Sequence, residues 1–121
     1  NSGEKKYLPH KNFNSGNLEE DMDIQKIYYG KCALYIYKYI QESDIKKYYL
    51  KVLNVDSKKQ ICQISISPSV YNYLSDKLID IPEKKDEALN YYLCFSGTLE
   101  KDNYSYKCKL KDSRLLVLEK E

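Results

Sequence analysis

The sequence predicts one small domain that is mostly β, with five strands and one helix. Its length of 121 residues allows a single modest hydrophobic core. Apolar and polar residues alternate with a period of two along most of the chain, which is typical of half-buried strands. Between the third and fourth alternating segments, the apolar spacing changes to that of a helix. These three observations together predict the fold class.

Composition excludes several classes of protein. Hydrophobic residues make up 42% of the chain and charged residues 31%, which indicates a globular protein. No apolar run approaches the ~18 residues that a membrane helix needs, so no membrane is expected as a partner. The net charge of +2 is too small to indicate nucleic-acid binding by itself. Arg114 is the one arginine among twenty basic residues, which argues against bidentate reading of base edges.

The four cysteines are widely spaced and contain no Cys-x-x-Cys pair: Cys32, Cys62, Cys94 and Cys108. His10 is the single histidine, so neither a metal site nor a cofactor is predicted. Two states remain open, namely reduced core thiols in an intracellular protein and two disulfides in a secreted one. All four are expected at apolar strand positions, which favours reduced thiols. If one disulfide forms, Cys94 and Cys108 are the expected pair across the last hairpin.

The first strand is predicted over residues 24–40. Cys32, Leu34 and Ile36 share its core phase, and three tyrosines share the opposite phase. Gly30 lies within it and predicts a bulge or sharp bend, which lets one strand serve both sides of a small barrel. Residues 1–23 before it are expected to form an extended arm, with residues 1–3 a tag scar or domain cut. Residues 24–121 form the domain.

The remaining elements follow in order. The second and third strands are predicted over 45–55 and 60–67, and Ile64 lies on the core phase of the third. Ser67 is expected to cap a helix that begins at Pro68 and ends before Pro82. The fourth and fifth strands are predicted over 89–100 and 104–111, and the tail over 113–121 is either a late strand or a short helix. Three strands, a helix and a hairpin form the element order of the OB-fold, a five-stranded Greek-key barrel.

Three segments carry a resemblance to a known family. They are Tyr7-Leu8-Pro9, Gly30-Lys31-Cys32-Ala33-Leu34-Tyr35 and Tyr91-Tyr92-Leu93-Cys94-Phe95-Ser96-Gly97-Thr98-Leu99-Glu100. The chain resembles the smallest subunit of the CST complex, the RPA-like trimer that caps telomeric single strands, and the small subunit of RPA has the same element order. The resemblance implies a non-catalytic nuclear subunit that acts at chromosome ends by stabilising a larger OB-fold partner. Telomeric single-stranded DNA, DNA polymerase α–primase and telomerase are the further partners that it implies.

Two sets of candidate site residues follow from this fold. An OB-fold binds single strands with the outward residues of its second and third strands and the nearby loops. The candidates for nucleic-acid contact are Lys46, Lys47, Tyr49, Lys51, Gln63, Lys101 and Tyr104. The third strand presents no outward aromatic ring, so we expect the isolated chain to bind telomeric DNA weakly or not at all.

The candidates for partner contact are apolar or aromatic residues beyond the needs of a small core: Tyr35, Tyr37, Tyr39, Leu115, Leu116 and Leu118. An alternative is that the tyrosines cover the open seam of the barrel against the arm. No P-loop, dinucleotide fingerprint or catalytic triad is present, so the protein is not expected to be an enzyme. The second hypothesis is a secreted, disulfide-bonded β domain that binds a host or partner protein.

Overall fold

The computed structural model of the protein describes residues 8–16, 18–19, 24–77, 80–102, 105–108 and 114–121. These residues form one mixed sheet, one α-helix and a short 3-10 turn at Lys85–Glu87. The strands are β1 (His10–Asn12), β2 (Lys26–Gln41), β3 (Asp44–Leu53), β4 (Gln60–Ile66), β5 (Leu89–Gly97), β6 (Leu99–Lys101), β7 (Tyr106–Cys108) and β8 (Arg114–Lys120), and the helix α1 is Pro68–Asp76. The mostly β class is confirmed, but the described residues form eight strands rather than five.

The long strand β2 is the centre of the sheet because it exchanges partners along its length. Its first half, from Lys26 to Leu34, pairs antiparallel with β5. Its second half, from Ala33 to Gln41, pairs antiparallel with β3. Strand β2 therefore has β5 as its neighbour along one half and β3 along the other, but the strands form an open mixed sheet and the barrel expected around this strand is not shown. The sheet runs in the order β6-β7-β4-β3-β2-β5-β8, and β1 pairs parallel with β2 off this path.

Gly30 does not form the bulge that was expected. It pairs with Leu93, and the ladder between β2 and β5 runs through it without a shift of register. Its φ is +149°, and a Cβ at this position would lie 3.0 Å from Asn12 Oδ1 and 3.2 Å from the Phe13 ring. The glycine therefore allows the chain after β1 to pack directly on β2.

The N-terminal segment, which was predicted as an extended arm, adds a strand and core side chains to the fold in its described residues, 8–16 and 18–19. Residues 10–12 form β1, and the Phe13 N–H donates to the Tyr29 carbonyl at 3.0 Å. Phe13 and Leu18 are almost completely buried in the core. Because these residues add a strand and two core side chains, the segment is held to the sheet by pairing and by packing.

The core lies on the phase that alternation predicted. Most of the buried side chains come from β2, β3, β4 and β5, and the largest of all are Tyr28, Tyr91, Phe95 and, after β1, Phe13. Ile64 of β4 is 4% exposed, whereas its neighbour Gln63 is only partly buried. Period-two alternation was therefore sufficient to assign the core face of β2, β3 and β4.

The helix begins as predicted. Ser67 Oγ accepts a hydrogen bond from the Val70 N–H at 3.2 Å, and Pro68 is the first helical residue. Leu74 is buried, and the Tyr71 ring stacks on Tyr48 of β3 with centroids 4.4 Å apart. The helix ends at Asp76, earlier than Pro82, and Leu78 of its expected apolar stripe lies outside the described residues.

The predicted fourth strand is divided in two by Thr98. β5 pairs with β2 and β8, whereas β6 pairs antiparallel with β7. β7 in turn pairs parallel with β4. Of the predicted fifth strand, residues 104 and 109–111 lie outside the described part of the chain. The tail forms a strand, β8, which decides between the two forms that the sequence left open.

The cysteines differ from one another more than expected. Cys32, Cys62 and Cys108 are buried, but Cys94 lies on the outer phase of β5 and is only partly buried, so the prediction of four core positions is wrong for Cys94. Cys94 pairs with Val117 of β8 while Cys108 pairs with Leu99 of β6, so the two do not face each other across a hairpin. None of the four forms a disulfide in the structure.

We expect the thiols to react in two steps. Burial raises the pKa of Cys32 to about 12 and also raises that of Cys62, so both stay protonated and shielded at neutral pH. Burial also raises the pKa of Cys94, but its side chain is only partly buried, so Cys94 should react first with a thiol reagent in the native protein, and the other three only after denaturation. Mass spectrometry of alkylated protein prepared without reductant measures this order. Protein with no reactive thiol even after denaturation would favour the secreted, disulfide-bonded alternative.

Candidate nucleic-acid and partner surface

The outward side chains of β2, β3 and β4 form one continuous surface. Residues that are paired across a ladder point to the same side of a sheet. The pairs in question are Tyr35 with Lys51, Tyr37 with Tyr49, Tyr39 with Lys47, Lys51 with Gln63, and Tyr49 with Ser65. We call these eight residues the tyrosine face.

The centre of the tyrosine face is a lysine between two tyrosine rings. Lys51 Nζ lies 5.2 Å from the centroid of Tyr37 and 5.7 Å from that of Tyr49. The two ring centroids are 6.3 Å apart, and the planes are tilted by 32°. The Lys51 ammonium also donates a hydrogen bond to Gln63 Oε1. These contacts hold the lysine in place and leave the outer sides of the rings available to a ligand.

The electrostatics of this centre follow from its partial burial. Burial lowers the pKa of Lys51, and the negative charge of Asp102 opposes that shift. Burial, followed by the neighbouring Tyr37, raises the pKa of Tyr35. An anion that approached Lys51 would favour the charged form of the lysine and so reverse part of the lowering of its pKa by burial. The centre is therefore suited to a ligand that combines flat rings with negative charge.

The rings of the face differ in exposure. Tyr37 and Tyr39 are 43% and 42% exposed, whereas Tyr35 and Tyr49 are half-buried. All four rings therefore reach the surface, and Tyr37 and Tyr39 are the more exposed. Lys107 of β7 extends the face, since it pairs with Gln63 and is exposed. The sequence analysis missed Lys107, although its alternate position within the fifth strand was a signal for it.

The structure does not keep the residues predicted for nucleic-acid contact apart from those predicted for partner contact. Tyr35, Tyr37 and Tyr39, predicted for partner contact, lie on the same face as Lys47, Tyr49, Lys51 and Gln63, predicted for nucleic acid. Leu115, Leu116 and Leu118 lie on β8, which pairs with β5. Leu115 and Leu118 pack partly against the core, and Leu116 is 46% exposed. The partner set is therefore separated between two surfaces.

Lys101, another of the nucleic-acid candidates, is paired with an acidic residue. Lys101 forms an ion pair with Glu19, with Nζ and Oε1 2.7 Å apart. This pairing raises the pKa of Lys101 and lowers that of Glu19. Tyr104 and the side chain of Lys46 lie outside the described part of the chain.

Neither a metal centre nor a membrane helix was found in the part of the chain that the structure describes. No group of three or more His, Cys, Asp or Glu residues among these residues could hold a metal ion. Within the same ranges, no helix is long and apolar enough to cross a membrane.

Comparisons with protein-family models, with curated proteins and with solved structures found no match.

Proposed function

We propose that the chain is a non-catalytic OB-fold subunit of a single-strand-binding assembly of the RPA or CST kind. In this proposal the tyrosine face contacts single-stranded nucleic acid, and a larger OB-fold subunit supplies most of the affinity. The observation that carries the proposal is the Tyr37–Lys51–Tyr49 cluster on the outward side of three adjacent strands. The assembly would act in the nucleus at chromosome ends, in telomere maintenance.

The strand pairing supports the OB-fold part of the proposal. β2, β3 and β4 form an antiparallel meander, and β4 pairs parallel with β7. β7 pairs with β6, and only Thr98 separates β6 from β5, which pairs back with β2. If β5 and β6 are counted as one strand interrupted at Thr98, this pairing returns to β2 in a Greek-key barrel of five strands. The helix then lies between the third and fourth of them, as in an OB-fold.

The chemistry of the tyrosine face supports the nucleic-acid part. Every base has a flat face that can stack on an aromatic ring, and each such contact contributes ~1–3 kcal/mol. Lys47, Lys51 and Lys107 place positive charge beside the rings, as contact with a phosphate backbone requires. Lysine does not read base edges as arginine does, so little sequence preference is expected from this chain. Preference for telomeric repeats would come from the partner subunit.

Fluorescence anisotropy with a labelled single strand tests the nucleic-acid contact. We expect the isolated chain to bind a telomeric-repeat strand of roughly 16 nucleotides with a weak Kd, about 10⁻⁴–10⁻⁶ M at physiological salt. Tyr37→Ala and Tyr49→Ala should each weaken binding about fivefold or more, because each removes a stacking ring. Tyr92→Ala is the matched control, since Tyr92 is exposed to a similar degree but lies on β5.

Two results would contradict the proposal. One is an absence of binding even at about 50 mM salt, where phosphate contacts are strongest. The other is an equal loss of affinity in the Tyr92→Ala control. A pulldown from native extract followed by mass spectrometry tests the assembly, and we expect it to recover a larger OB-fold protein. Recovery without any such protein would overturn the subunit part of the proposal.

A further inference from the structure

Strand β8 has a free edge in the described sheet. One edge pairs with β5 over Arg114 to Lys120, and β8 stands at the end of the strand order. No described strand pairs with its other edge. Edge strands that are apolar and exposed attract further strands, so proteins usually cover or interrupt them. In β8 four consecutive apolar residues, 115–118, include two with substantial exposure, Leu116 at 46% and Val117 at 37%.

A groove runs along β8 beside helix α1. It has a volume of about 330 Å³, and its walls are residues 115–118 of β8 and Tyr73, Leu74 and Lys77 of the helix end. Leu116 is the extra residue of a bulge, because Cys94 pairs with Val117 and Phe95 with Leu115. A bulge changes the direction of the side chains around it and interrupts their alternation between the two faces of the strand. For this reason, all four consecutive residues can line one groove.

The groove adjoins a larger apolar cavity. This second cavity has a volume of about 460 Å³ and shares Tyr73 and Leu115 with the groove. Its floor includes Ile64 and Phe95 of the core, and Arg114 lies at its border. Together, the groove and the cavity form an apolar depression beside the edge of β8 that pairs with no described strand. Backbone pairing and pockets for alternate side chains are what a sheet edge needs to bind an extended peptide.

The two charged side chains that line this depression are cations, whereas Asp76 and Glu119 lie next to it in the chain and outside its lining. Lys77 lines the groove and Arg114 lines the cavity, and no Asp or Glu is among the described residues that line either of them. A peptide that complements the site therefore carries apolar side chains at alternate positions and carboxylates toward its ends. Nucleic acid would meet the two cations but could not fill the apolar depression or pair with the backbone of β8.

We propose that the free edge of β8 and the groove beside α1 bind an extended, acidic and apolar segment of a partner protein by strand addition. The inference deepens the proposed function. It rests on one part of that function, namely that the chain works by holding a partner protein. It separates the two roles in space, with nucleic acid on the tyrosine face and the partner segment on β8. It also assigns a role to Leu116, which is exposed at the groove, while Leu115 and Leu118 pack partly on the core.

Binding of a synthetic peptide tests the proposal. The probe is a fluorescent peptide of about the 7-residue length of β8, with Val or Ile at alternate positions, Thr between them and Glu at both ends. We expect saturable binding in anisotropy. A peptide that is N-methylated at alternate amides, on the edge that faces β8, should lose at least about tenfold in affinity, because it cannot form the ladder. Equal binding of both peptides would overturn strand addition.

A charge exchange tests the chemistry of the partner. The double variant Lys77→Glu, Arg114→Glu should bind the Glu-ended peptide at least about tenfold more weakly, because like charges then meet. The same variant should gain affinity for a Lys-ended peptide, a result that a misfolded protein would not give. No binding of either peptide to the native chain, or no exchange of preference in the variant, would overturn the proposal.

Two further measurements separate this inference from its alternatives. If β8 binds a second copy of the chain instead, light scattering will show a dimer at the concentrations used for peptide binding, and the proposal fails. The double variant should still bind single-stranded DNA with at least one third of the native affinity, since it leaves the tyrosine face unchanged. Peptide binding without DNA binding would contradict the proposed function alone, and DNA binding without peptide binding would contradict this inference alone.

Discussion

Replacement of Ile64 by aspartate should prevent the protein from folding. Ile64 is 4% exposed and lies in β4 between Leu50 of β3 and Cys108 of β7, which are both buried. A carboxylate at this position would be buried without a partner, at a cost of several kcal/mol. Small domains have only about 5–15 kcal/mol of stability in total. Far-UV circular dichroism and thermal melting of Ile64→Asp should therefore show no cooperative transition.

Gln63→Asp is the control for this variant. Gln63 is one residue away on the outward side, and its side chain already accepts a hydrogen bond from Lys51. An aspartate there would face the same ammonium near solvent, so we expect a change in the free energy of unfolding below about 1 kcal/mol. Comparable damage from both substitutions would mean that β4 is displaced by one residue, because such a shift exchanges its two faces.

Gly30→Ala should destabilise the protein strongly, although it adds only one methyl group. The φ of +149° is strained for any residue with a Cβ, which costs about 1–3 kcal/mol. The added methyl would also lie 3.0 Å from Asn12 Oδ1 and 3.1 Å from Asn14 Nδ2. Urea denaturation should show the loss of stability. Hydrogen exchange should accelerate at Phe13, whose N–H donates to the Tyr29 carbonyl, because the segment after β1 must move away.

Gly16→Ala provides the comparison for Gly30→Ala. No atom lies within 4 Å of a Cβ built at Gly16. We expect its stability to stay within about 0.5 kcal/mol of the native protein, as for other surface substitutions. If the two alanine variants had the same midpoint in urea, the close approach of the N-terminal segment to β2 would not contribute to stability.

The tyrosine face shows why sequence patterns identified its outward residues but not which of them pair across neighbouring strands. Glu42 and Ser43 both have positive φ and connect β2 to β3, with Gln41 opposite Asp44. Continued without interruption, that register would place Tyr37 opposite Tyr48, which is an inward residue. A bulge between Tyr39 and Ile40 shifts the pairing by one residue and places Tyr37 opposite Tyr49. The core phases of both strands require this shift, because either set of apolar side chains would otherwise face solvent.

The surface proposed for the partner, formed by β8 and the groove beside α1, could be predicted from the sequence even less, because it depends on tertiary contacts. Leucine and valine at four consecutive positions carry no period, so residues 115–118 were equally compatible with a strand and with a short helix. The free hydrogen-bonding edge of β5 favours the strand, since pairing satisfies backbone groups that a helix would leave open. The groove beside α1 exists only because β8 and the helix end lie next to each other, although Arg114, where β8 begins, follows Lys77 by 37 positions in the chain.

By itself, the sequence determined the class of the fold, the core face of β2, β3 and β4, and the start of the helix. These features depend on residues a few positions apart. Examples are the alternation of apolar and polar residues along a strand and the hydrogen bond that the Val70 N–H donates to Ser67 Oγ. Only the tertiary structure decided which strands pair, where Cys94 lies and which site residues share a surface. Those outcomes depend on register and on chain crossings between distant segments, and a single bulge or one glycine at positive φ changes them without altering the local pattern.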